Sequence, residues 1–580
     1  MIHYEIEMRL NVRVPMRDGV ELSADIYLPK VTHLYSAPFE NDPNTIEKSE
    51  TFPTVLIRTP YSNNGDATIQ RARALASLGF ACVIQDTRGR YDSDGAFYPF
   101  MSEAEDGYDT QEWIGQQAWS NGKIGTSGGS YLGMTQWLSA PLGSPYLTCM
   151  APSITCTNLF QDCAYPGGAL SLGVMLMWGM GAHGHTNQSL EYQNWTEAFM
   201  ALPLSQKDEL AGRSIDYWKD WIKHDRYDAY WAQINVEGKW NEMKAPALNI
   251  GGWYDLWAEQ TFTNFNGLRQ HGRTDKARQS KLIVGPWTHN LVASSKVGDI
   301  DFGPQSMLDL AMEEFRWLSY WLKGEENGVV DEPPVKLFIM GINQWRDENE
   351  WPLARTEWQK WHIHSNGSAN TLRGDGTLTL SPPTAESNTQ STDHFVYDPR
   401  FPVQTKGGNT CCRPQIVPWG PYDQRSVEMR SDVLCYTTPP LDEDLEVTGP
   451  IKLILYAATD AQDTDWTAKL VDVSPSGYAK NLCDGILRAR YRESMSTPTL
   501  LEPNKVYEYT INVGVTGNVF RRGHSMRLEI SSSNFPRFNR NLNTGKSYGE
   551  EIEMRAAHQT IYHDSMYPSH LILPVIPSGG

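Results

Sequence analysis

The sequence lacks the segments that direct a chain into a membrane or onto nucleic acid. No run of about 18 apolar residues is present, so we expect no bilayer-spanning helix. No basic run offsets the formal net charge of −19, which disfavours nucleic acid and anionic membranes as partners. The start, MIHYEIEMRL, has neither the basic nor the apolar region of a signal peptide, and we therefore expect a cytoplasmic protein.

Recognisable metal and cofactor motifs are missing as well. The eight cysteines include no C-x-x-C pair. We interpret them as structural thiols in a reducing compartment, with one or two disulfides as the alternative. The segment YDSDG resembles part of a calcium loop but lacks the other ligands, and we predict no metal and no cofactor.

The first 350 residues have the pattern of an α/β protein. Short apolar runs such as TVLIRTP (54–60) and FACVIQD (80–86) alternate with helical segments such as TIQRARALASLG (68–79). Strands that are apolar on both faces and alternate with amphipathic helices indicate a largely parallel sheet. Before them, alternating residues on both sides of Asp18-Gly19 predict an antiparallel hairpin.

Two elements carry a specific prediction of which face is buried. In the first strand of the hairpin, the alternation places three residues on one face, namely Leu10, Val12 and Val14. In the helical segment SMLDLAMEEFRWLSYWLKG, the helical period places four residues on one face, namely Leu308, Met312, Phe315 and Leu322.

Two further regions depart from the α/β pattern. Residues 150–243 are rich in Trp, Met and Tyr and lack strand candidates, which indicates a helical insertion between two strands of the sheet. After about residue 350, short strands such as DWTAKLVDV and SMRLEISSS follow one another with Gly, Pro and Asn turns between them. Regular short strands without helices indicate a β-sandwich or jelly roll.

Two serines in GKIGTSGGSYLGMTQW (122–137) are candidate nucleophiles. The pattern G-x-S-x-G fits Ser127, but it would place Gly128 and Gly129 in the first helical turn, at about 1 kcal/mol each relative to alanine. Placed before Ser130, the same glycines permit the close backbone approach that a strand–turn–helix elbow demands. We therefore predict Ser130 as the nucleophile.

A serine nucleophile needs a base to take its proton and a buried acid to orient that base. Asp255 follows the apolar run ALNIGG (247–252), and His289 follows KLIVGP (281–286). This chain order, with the acid and the base each just past a strand, is that of an α/β hydrolase. We predict a catalytic triad of Ser130, His289 and Asp255.

An oxyanion hole needs two hydrogen-bond donors near the nucleophile. The N–H of Tyr131, the residue after Ser130, is the first candidate. The second donor should come from the loop TPYSNN after an early strand, where the hydroxyl of Tyr61 can donate. The alternative is that Tyr61 is an ordinary aromatic residue of a loop.

The combined motifs resemble a known family. The segments that carry the resemblance are RTPYSN, DTRGRYDSDGAFYPF, EAEDGYDTQEWIGQQAWSNGKIGTSGGSYLGMTQW, GGWYDLW, GPWTHN and VKLFIMGINQWRDENEWPLA. They are similar to the cocaine esterase / X-Pro dipeptidyl-peptidase family of serine hydrolases, over about residues 10 to 490. The elbow of that family, G-x-S-Y-x-G, matches Gly128, Ser130, Tyr131 and Gly133.

The resemblance implies the same five site residues that the strand positions predict. It also implies three domains, with boundaries that we place from the changes in sequence pattern. These domains are an α/β-hydrolase core (1–149 and 244–350), an inserted helical cap (150–243) and a C-terminal all-β jelly-roll domain (351–580).

Three substrate classes compete within this family. Amino-ester hydrolases, which also acylate β-lactam nuclei, bind a substrate ammonium through carboxylates that lie partly two and three residues after the triad acid. Here those positions hold the neutral Trp257 and Ala258. X-Pro-type aminopeptidases need an extra N-terminal domain, whereas the first predicted strand begins near residue 4. We therefore expect a carboxylesterase or amidase that forms an acyl-enzyme with a bulky acyl group.

The acyl pocket is expected to be aromatic. We predict Trp178, Trp257 and Trp287 in its wall, with a methionine cluster beside Trp178 that consists of Met175, Met177 and Met180. The alternative is that the residues of the cap simply form its core. The expected partner is a small-molecule ester or amide, and the oligomeric state, a homo-oligomer included, stays open. A non-catalytic carbohydrate-binding protein is the alternative from another class.

Overall fold

The computed structural model describes residues 4–30, 50–291, 294–384 and 391–577. A ten-stranded sheet forms the first part of the molecule, in the order β1-β2-β4-β3-β5-β6-β7-β8-β11-β12. Its strands are β1 (Glu5–Pro15), β2 (Glu21–Lys30), β3 (Phe52–Thr59), β4 (Ala81–Asp86), β5 (Ser120–Gly129), β6 (Leu147–Ser153), β7 (Leu248–Tyr254), β8 (Lys281–Thr288), β11 (Val335–Ile339) and β12 (Gln344–Glu348). A separate two-stranded ribbon comprises β9 (Lys296–Val297) and β10 (Ile300–Asp301).

The central strands of this sheet are parallel. The parallel ladder runs from β4 through β3, β5, β6, β7 and β8 to β11, and antiparallel pairs occur only at its two edges, β1-β2-β4 and β11-β12, among the described strands. Parallel strands bring their carboxyl ends to one edge of the sheet, which is where loops build sites in α/β folds. The predicted, largely parallel α/β core is therefore confirmed.

The hairpin β1–β2 is present, but its alternation is interrupted. The register shifts between Arg9 and Val12, where Asn11 adopts φ 53° and its N–H donates to a carboxylate oxygen of Asp25. Such a bulge reverses the faces of the residues before it. Leu10 is therefore 60% exposed, so its predicted burial with Val12 and Val14 is wrong.

The helices divide between the two faces of the sheet and the inserted segment. They are α1 (Asp66–Ser77), α2 (Glu103–Gly115), α3 (Tyr131–Ser139), α4 (Leu172–Ala182), α5 (Trp195–Met200), α6 (Lys207–Leu210), α7 (Asp216–Lys223), α8 (Ala229–Ala232), α9 (Ala258–His271), α10 (Leu310–Leu318) and α11 (Arg425–Glu428). Helices α4 to α8 lie between β6 and β7 in the chain. Because β6 continues to Ser153, the helical insertion begins after the expected position 150.

In the helix after β10, three of the four predicted residues pack in or against the core, namely Leu308, Phe315 and Leu322. Trp317, Leu318 and Leu322 pack into the core, whereas Met312 is 50% exposed. The α-helical turns end at Leu318 and a π-helical turn continues to Lys323, which rotates the later residues relative to a uniform 3.6-residue period. Within α10 itself, the buried Trp317 and Leu318 face the core instead of Met312, so the expected common face is wrong at Met312.

The C-terminal part is rich in β-structure, as predicted. Its eleven strands are β13 (Glu357–His364), β14 (Thr377–Thr379), β15 (Thr392–Tyr397), β16 (Leu434–Thr437), β17 (Leu445–Thr459), β18 (Asp465–Val473), β19 (Ala479–Arg488), β20 (Tyr507–Phe520), β21 (Ser525–Ser531), β22 (Ala557–Tyr562) and β23 (His570–Ile576). Its core joins that of the first sheet, because Trp253 of β7 packs in the same buried cluster as β17 and β20.

Two sequence expectations concern bilayers and cysteines. Within the described ranges, the helices are too short or too polar for any of them to span a bilayer. Cys411 and Cys412, which are adjacent in sequence, are joined by a disulfide, while the other six cysteines are free and buried. The structure therefore combines structural thiols with one disulfide, the alternative that the sequence left open.

Candidate active site

The candidate nucleophile Ser130 occupies a sharp turn between β5 and α3. Its backbone has φ 58° and ψ −126°, and its N–H donates to the carbonyls of Ser153 and Ile154 at the end of β6. A Cβ on Gly128 would lie 2.5 Å from Cβ of Leu132, so only glycine fits before the turn. The sequence forms this elbow because glycine permits the close approach of strand and helix.

Three predicted site residues form one chain of hydrogen bonds. His289 Nε2 lies 2.8 Å from the hydroxyl oxygen of Ser130, and His289 Nδ1 lies 2.7 Å from a carboxylate oxygen of Asp255. The three residues follow β5, β8 and β7, whose carboxyl ends meet at the same edge of the sheet. This geometry allows the imidazole to accept the serine proton while a carboxylate orients the ring.

The loop that carries Asp255 is held by hydrogen bonds within the loop and from the C-terminal β-domain. Asp255 is fully buried, and its N–H donates to the carbonyl of Gly252. From the C-terminal β-domain, the side-chain amide of Asn409 donates to the backbone carbonyls of Trp253 and Asp255, at 2.8 and 2.9 Å. The β-domain therefore fixes the loop that carries the acid, a contact that sequence analysis missed.

The second serine of the motif lies in a different environment. Ser127, inside β5, donates to a carboxylate oxygen of Glu314 in α10 and accepts from the guanidinium of Arg71 in α1. Both partners belong to helices that cover one face of the sheet. Ser127 thus lies in a structural ion-pair cluster and has no described histidine among its hydrogen-bond partners.

The two candidate oxyanion donors lie beside Ser130. The N–H of Tyr131 is the first amide of α3 and has no carbonyl one turn earlier to bond. Tyr61 lines the same pocket as Ser130, and its ring lies 6.5 Å from that of Tyr131 in an edge-to-face arrangement. Both residues line the pocket that contains Ser130.

The loop that carries Tyr61 is tied to the insertion by a buried arginine. The guanidinium of Arg90 donates to the carbonyl of Pro60 at 2.8 Å and to the carbonyl of Ala182 at 2.6 Å. It also donates to the side chain of Asn187 at 2.6 Å. Arg90 thereby links the residue before Tyr61 to the end of α4, which also supplies the wall of the pocket.

Tyr61 accepts a hydrogen bond of 2.9 Å from the indole N–H of Trp178. Burial raises the pKa of Tyr61 to about 12, so its hydroxyl keeps its proton through the neutral and mildly alkaline range. Because the phenol oxygen already accepts from Trp178, its proton is free to be donated elsewhere. The arrangement suits a donor to a developing oxyanion.

A small, mainly apolar pocket opens beside Ser130 and His289. Its other lining residues are Tyr61, Phe100, Tyr131, Met134, Cys163, Val174, Met175, Trp178, Trp257, Cys411 and Cys412. Trp178 and Trp257 therefore lie where the sequence places them, and Trp257 meets the His289 ring edge to face at 4.9 Å. The pocket suits an apolar or aromatic group next to the reacting atoms.

Several predicted pocket residues lie elsewhere. Trp287 does not line the pocket, because its ring packs over Gly285 and against Trp345 in the core beneath the sheet. Its predicted place in the pocket wall is therefore wrong. Met177 and Met180 are buried in the core of the insertion, whereas Met175 of the same cluster reaches the pocket.

A larger, more polar cavity lies on the other side of Trp257. It is about 360 Å³ in volume, and its acidic lining residues are Asp162, Glu237, Asp255, Glu259 and Asp484. Burial and the neighbouring carboxylates Glu237 and Glu259 hold the pKa of Asp162 well above its usual range. Trp257 and Asp255 are shared between this cavity and the catalytic machinery, so the two spaces adjoin.

Sequence reasoning missed the part of the site that comes from the β-domain. Asn409, Cys411 and Cys412 belong to a loop more than 100 residues after His289 in the chain, and no local pattern links them to it. The adjacent cysteine pair was the one available signal. It indicates a special backbone or redox feature but not its place beside the triad.

The fold and the site together define a serine hydrolase of the α/β class. Models of two families match the chain: X-Pro dipeptidyl-peptidase (S15 family) over residues 18–290 and X-Pro dipeptidyl-peptidase C-terminal non-catalytic domain over residues 327–572. The chain belongs to the cocaine esterase / X-Pro dipeptidyl-peptidase family.

Several relatives are similar over nearly the whole chain. A cocaine esterase of Rhodococcus sp. (strain MB1 Bresler) is 36% identical, and the alignment covers 99% of this chain and 100% of that protein. A solved structure of an α-amino acid ester hydrolase has a TM-score of 0.81 and 25% identity, over 99% of this chain and 97% of that one. An aminopeptidase from a marine sediment archaeon, Thaumarchaeota archaeon, shares the fold, with a TM-score of 0.83, 24% identity and the same coverage.

Proposed function

We propose that the protein hydrolyses esters or amides of a bulky, aromatic acyl group through an acyl-enzyme on Ser130. The hydrogen-bonded chain from Ser130 through His289 to Asp255 is the observation that carries this proposal. His289 takes the serine proton through Nε2 as the hydroxyl oxygen attacks the carbonyl carbon. Asp255 holds the ring through Nδ1 and stabilises the imidazolium that forms.

The tetrahedral intermediate places a negative charge on the former carbonyl oxygen. The N–H of Tyr131 and the hydroxyl of Tyr61 donate to that oxygen, which lowers the barrier because both donors are in place before the reaction. When the intermediate collapses, the imidazolium gives its proton to the leaving alcohol or amine. Water then attacks the acyl-enzyme with His289 again acting as base.

The apolar lining of the pocket supports an aromatic acyl group rather than a charged one. The rings of Phe100 and Tyr131 are stacked at 4.8 Å, and Trp178 continues the stack at 5.7 Å from Phe100. An acyl ring inserted here would contact aromatic faces and thioethers. Each aromatic contact of this kind contributes about 0.5–1.5 kcal/mol beyond the area it buries.

An α-amino-acyl substrate is less well supported. Among the residues that the structure describes, no carboxylate lines the pocket beside Ser130, and Trp257 lines both this pocket and the acidic cavity. Burial and the neighbouring carboxylates raise the pKa of Asp162, which disfavours its charged form. We therefore place an ester without an α-amine ahead of amino-acid esters and peptides.

Two p-nitrophenyl esters that share a leaving group test the acyl preference. We expect kcat/KM for the phenylacetate to exceed that for the acetate by at least tenfold, about 1.4 kcal/mol. Met175→Ala should reduce this ratio because Met175 lines the pocket. Met177→Ala is the matched control, since Met177 is buried in the insertion instead, and it should leave the ratio unchanged. Equal turnover of both esters by the unmodified enzyme would contradict the proposal.

A further inference from the structure

Two adjacent cysteines of the β-domain form part of the wall around the triad. Cys411 and Cys412 line the pocket together with Ser130 and His289, and their sulfurs are joined in a disulfide. Cys411 is buried and Cys412 is exposed, so the pair is accessible from solvent at one end. No step of the proposed hydrolysis uses either sulfur.

The position of the pair is fixed independently of the disulfide. Asn409, two residues before Cys411, donates to the carbonyls of Trp253 and Asp255 at 2.8 and 2.9 Å. These hydrogen bonds anchor the cysteine loop to the loop of the acid. They do not involve either sulfur, so they can persist when the S–S bond is broken.

The three side chains have the ligand types of a soft-metal site and lie close together. One ligand atom from each of His289, Cys411 and Cys412 lies within 4.8 Å of the other two. Zn–S bonds of about 2.3 Å and Zn–N bonds of about 2.0 Å place tetrahedral ligand atoms roughly 3.5–3.8 Å apart, so the two sulfurs must move apart once reduction has broken the bond between them. Because Nδ1 of His289 faces Asp255, Nε2 is the nitrogen that faces the pocket.

We propose that the reduced Cys411–Cys412 pair and Nε2 of His289 bind one thiophilic divalent cation, such as Zn²⁺ or Cd²⁺, and that the bound cation inhibits hydrolysis. A dithiol reductant breaks the S–S bond, supplies two electrons and two protons, and itself becomes a disulfide. Cation binding then forms two metal–sulfur bonds and one metal–nitrogen bond and releases the two thiol protons to water.

Inhibition follows from the identity of the nitrogen that the cation occupies. The lone pair of Nε2 is the one that accepts the proton of Ser130. A cation on this nitrogen removes the base, whereas the oxidised pair offers no thiolate and leaves the base free. This part of the inference rests on the proposed role of His289, and cation binding itself does not.

The test compares the enzyme with its disulfide intact and after reduction with a dithiol that is then removed. Mass spectrometry of alkylated protein confirms the two states. We expect one equivalent of Cd²⁺ to bind the reduced enzyme, seen as the ultraviolet Cd–thiolate band, and to lower ester hydrolysis at least tenfold. The oxidised enzyme should show neither effect, and a chelator should restore the activity of the reduced one.

Variants separate the ligands from the catalytic function. The double variant Cys411→Ser/Cys412→Ser should lose both the Cd–thiolate band and the inhibition by Cd²⁺. Every variant is compared with the same variant free of metal. Cys163→Ser, which changes another cysteine of the same pocket, should keep both. His289→Ala should bind Cd²⁺ at least tenfold more weakly, a result that needs no catalytic activity.

Three results would overturn the inference. They are equal binding by the oxidised and reduced enzymes, unchanged inhibition of the double serine variant, and tight binding by the reduced enzyme without inhibition. A failure of the proposed function is distinguishable, because it would appear as hydrolysis that survives Ser130→Ala, whereas cation binding is measured directly.

Discussion

The indole N–H of Trp178 donates a hydrogen bond of 2.9 Å to the hydroxyl oxygen of Tyr61. Trp178 belongs to α4 of the helical insertion, and Tyr61 to a loop of the α/β core. The insertion therefore orients the hydroxyl that we propose as an oxyanion donor. Because the phenol oxygen is an acceptor in this pair, its proton can point toward the substrate.

Tyr61→Phe tests the donor directly. The ring and its packing stay, but one donor that acts mainly in the transition state is lost. We expect kcat to fall by about 10² to 10³, or roughly 2.7 to 4 kcal/mol, with a similar KM. Steady-state kinetics and a thermal melt of the same variant check this. A kcat within about threefold of the parent enzyme, with an unchanged Tm, would remove Tyr61 from the site.

Trp178→Phe tests the orientation of that donor. The substitution keeps an aromatic wall and removes the N–H, so Tyr61 loses a hydrogen bond of about 1 kcal/mol. We expect a fall in kcat of about five- to tenfold in the parent enzyme. In a Tyr61→Phe background the same change should have little further effect, because the two residues act as one unit. Additive losses in the double variant would contradict the coupling.

The alkaline side of the pH profile reports the state of Tyr61. The neutral phenol is the donor, so its contribution is present below its pKa and lost above it. Since burial raises that pKa to about 12, kcat should not decline up to about pH 10.5. An exposed tyrosine with a pKa of about 10 would instead lose about three quarters of its protonated form by that pH. A decline centred near pH 10 that disappears in Tyr61→Phe, with the fold intact by circular dichroism, would contradict the burial argument.

The neutral residues after the acid predict the response to a substrate amine. Because Trp257 and Ala258 supply no charge and no described carboxylate lines the pocket beside Ser130, a free α-ammonium should bring no advantage. Phenylacetic esters should therefore be hydrolysed at least as well as phenylglycine esters. A tenfold preference for phenylglycine, about 1.4 kcal/mol, would reveal an amine site. Asp162→Asn would then show whether the adjoining acidic cavity provides it.

The fold could be read from the sequence wherever one local pattern determined the structure. Buried strands such as β3, β4, β7 and β8 are continuous apolar runs, and the glycines before Ser130 leave a single workable elbow. The prediction for Leu10 failed because a bulge at Asn11 changes the periodicity, and the helical period after Leu318 is interrupted by a π-helical turn. Neither irregularity has a pattern that distinguishes it from a regular element.

In the candidate site, too, the sequence predicts the residues that follow a recognisable local pattern and misses the others. Asp255 and His289 follow strands whose order places them at one edge of the sheet, so their meeting was predictable. Trp287 was misplaced because it lies inside β8 and packs against Trp345 in the core, whereas His289 follows the end of the strand. The contacts of Asn409, Cys411 and Cys412 depend on how the β-domain packs against the core, which no local periodicity encodes.

Covalent labelling identifies the nucleophile. The enzyme is treated with a fluorophosphonate probe and digested, and the adduct is located by mass spectrometry. We expect one adduct on Ser130 and no labelling or hydrolysis in Ser130→Ala, where the loss of kcat should approach about 10⁶. Ser127→Ala should retain most of the activity. An adduct on Ser127, or labelling that persists in Ser130→Ala, would contradict Ser130 as the nucleophile.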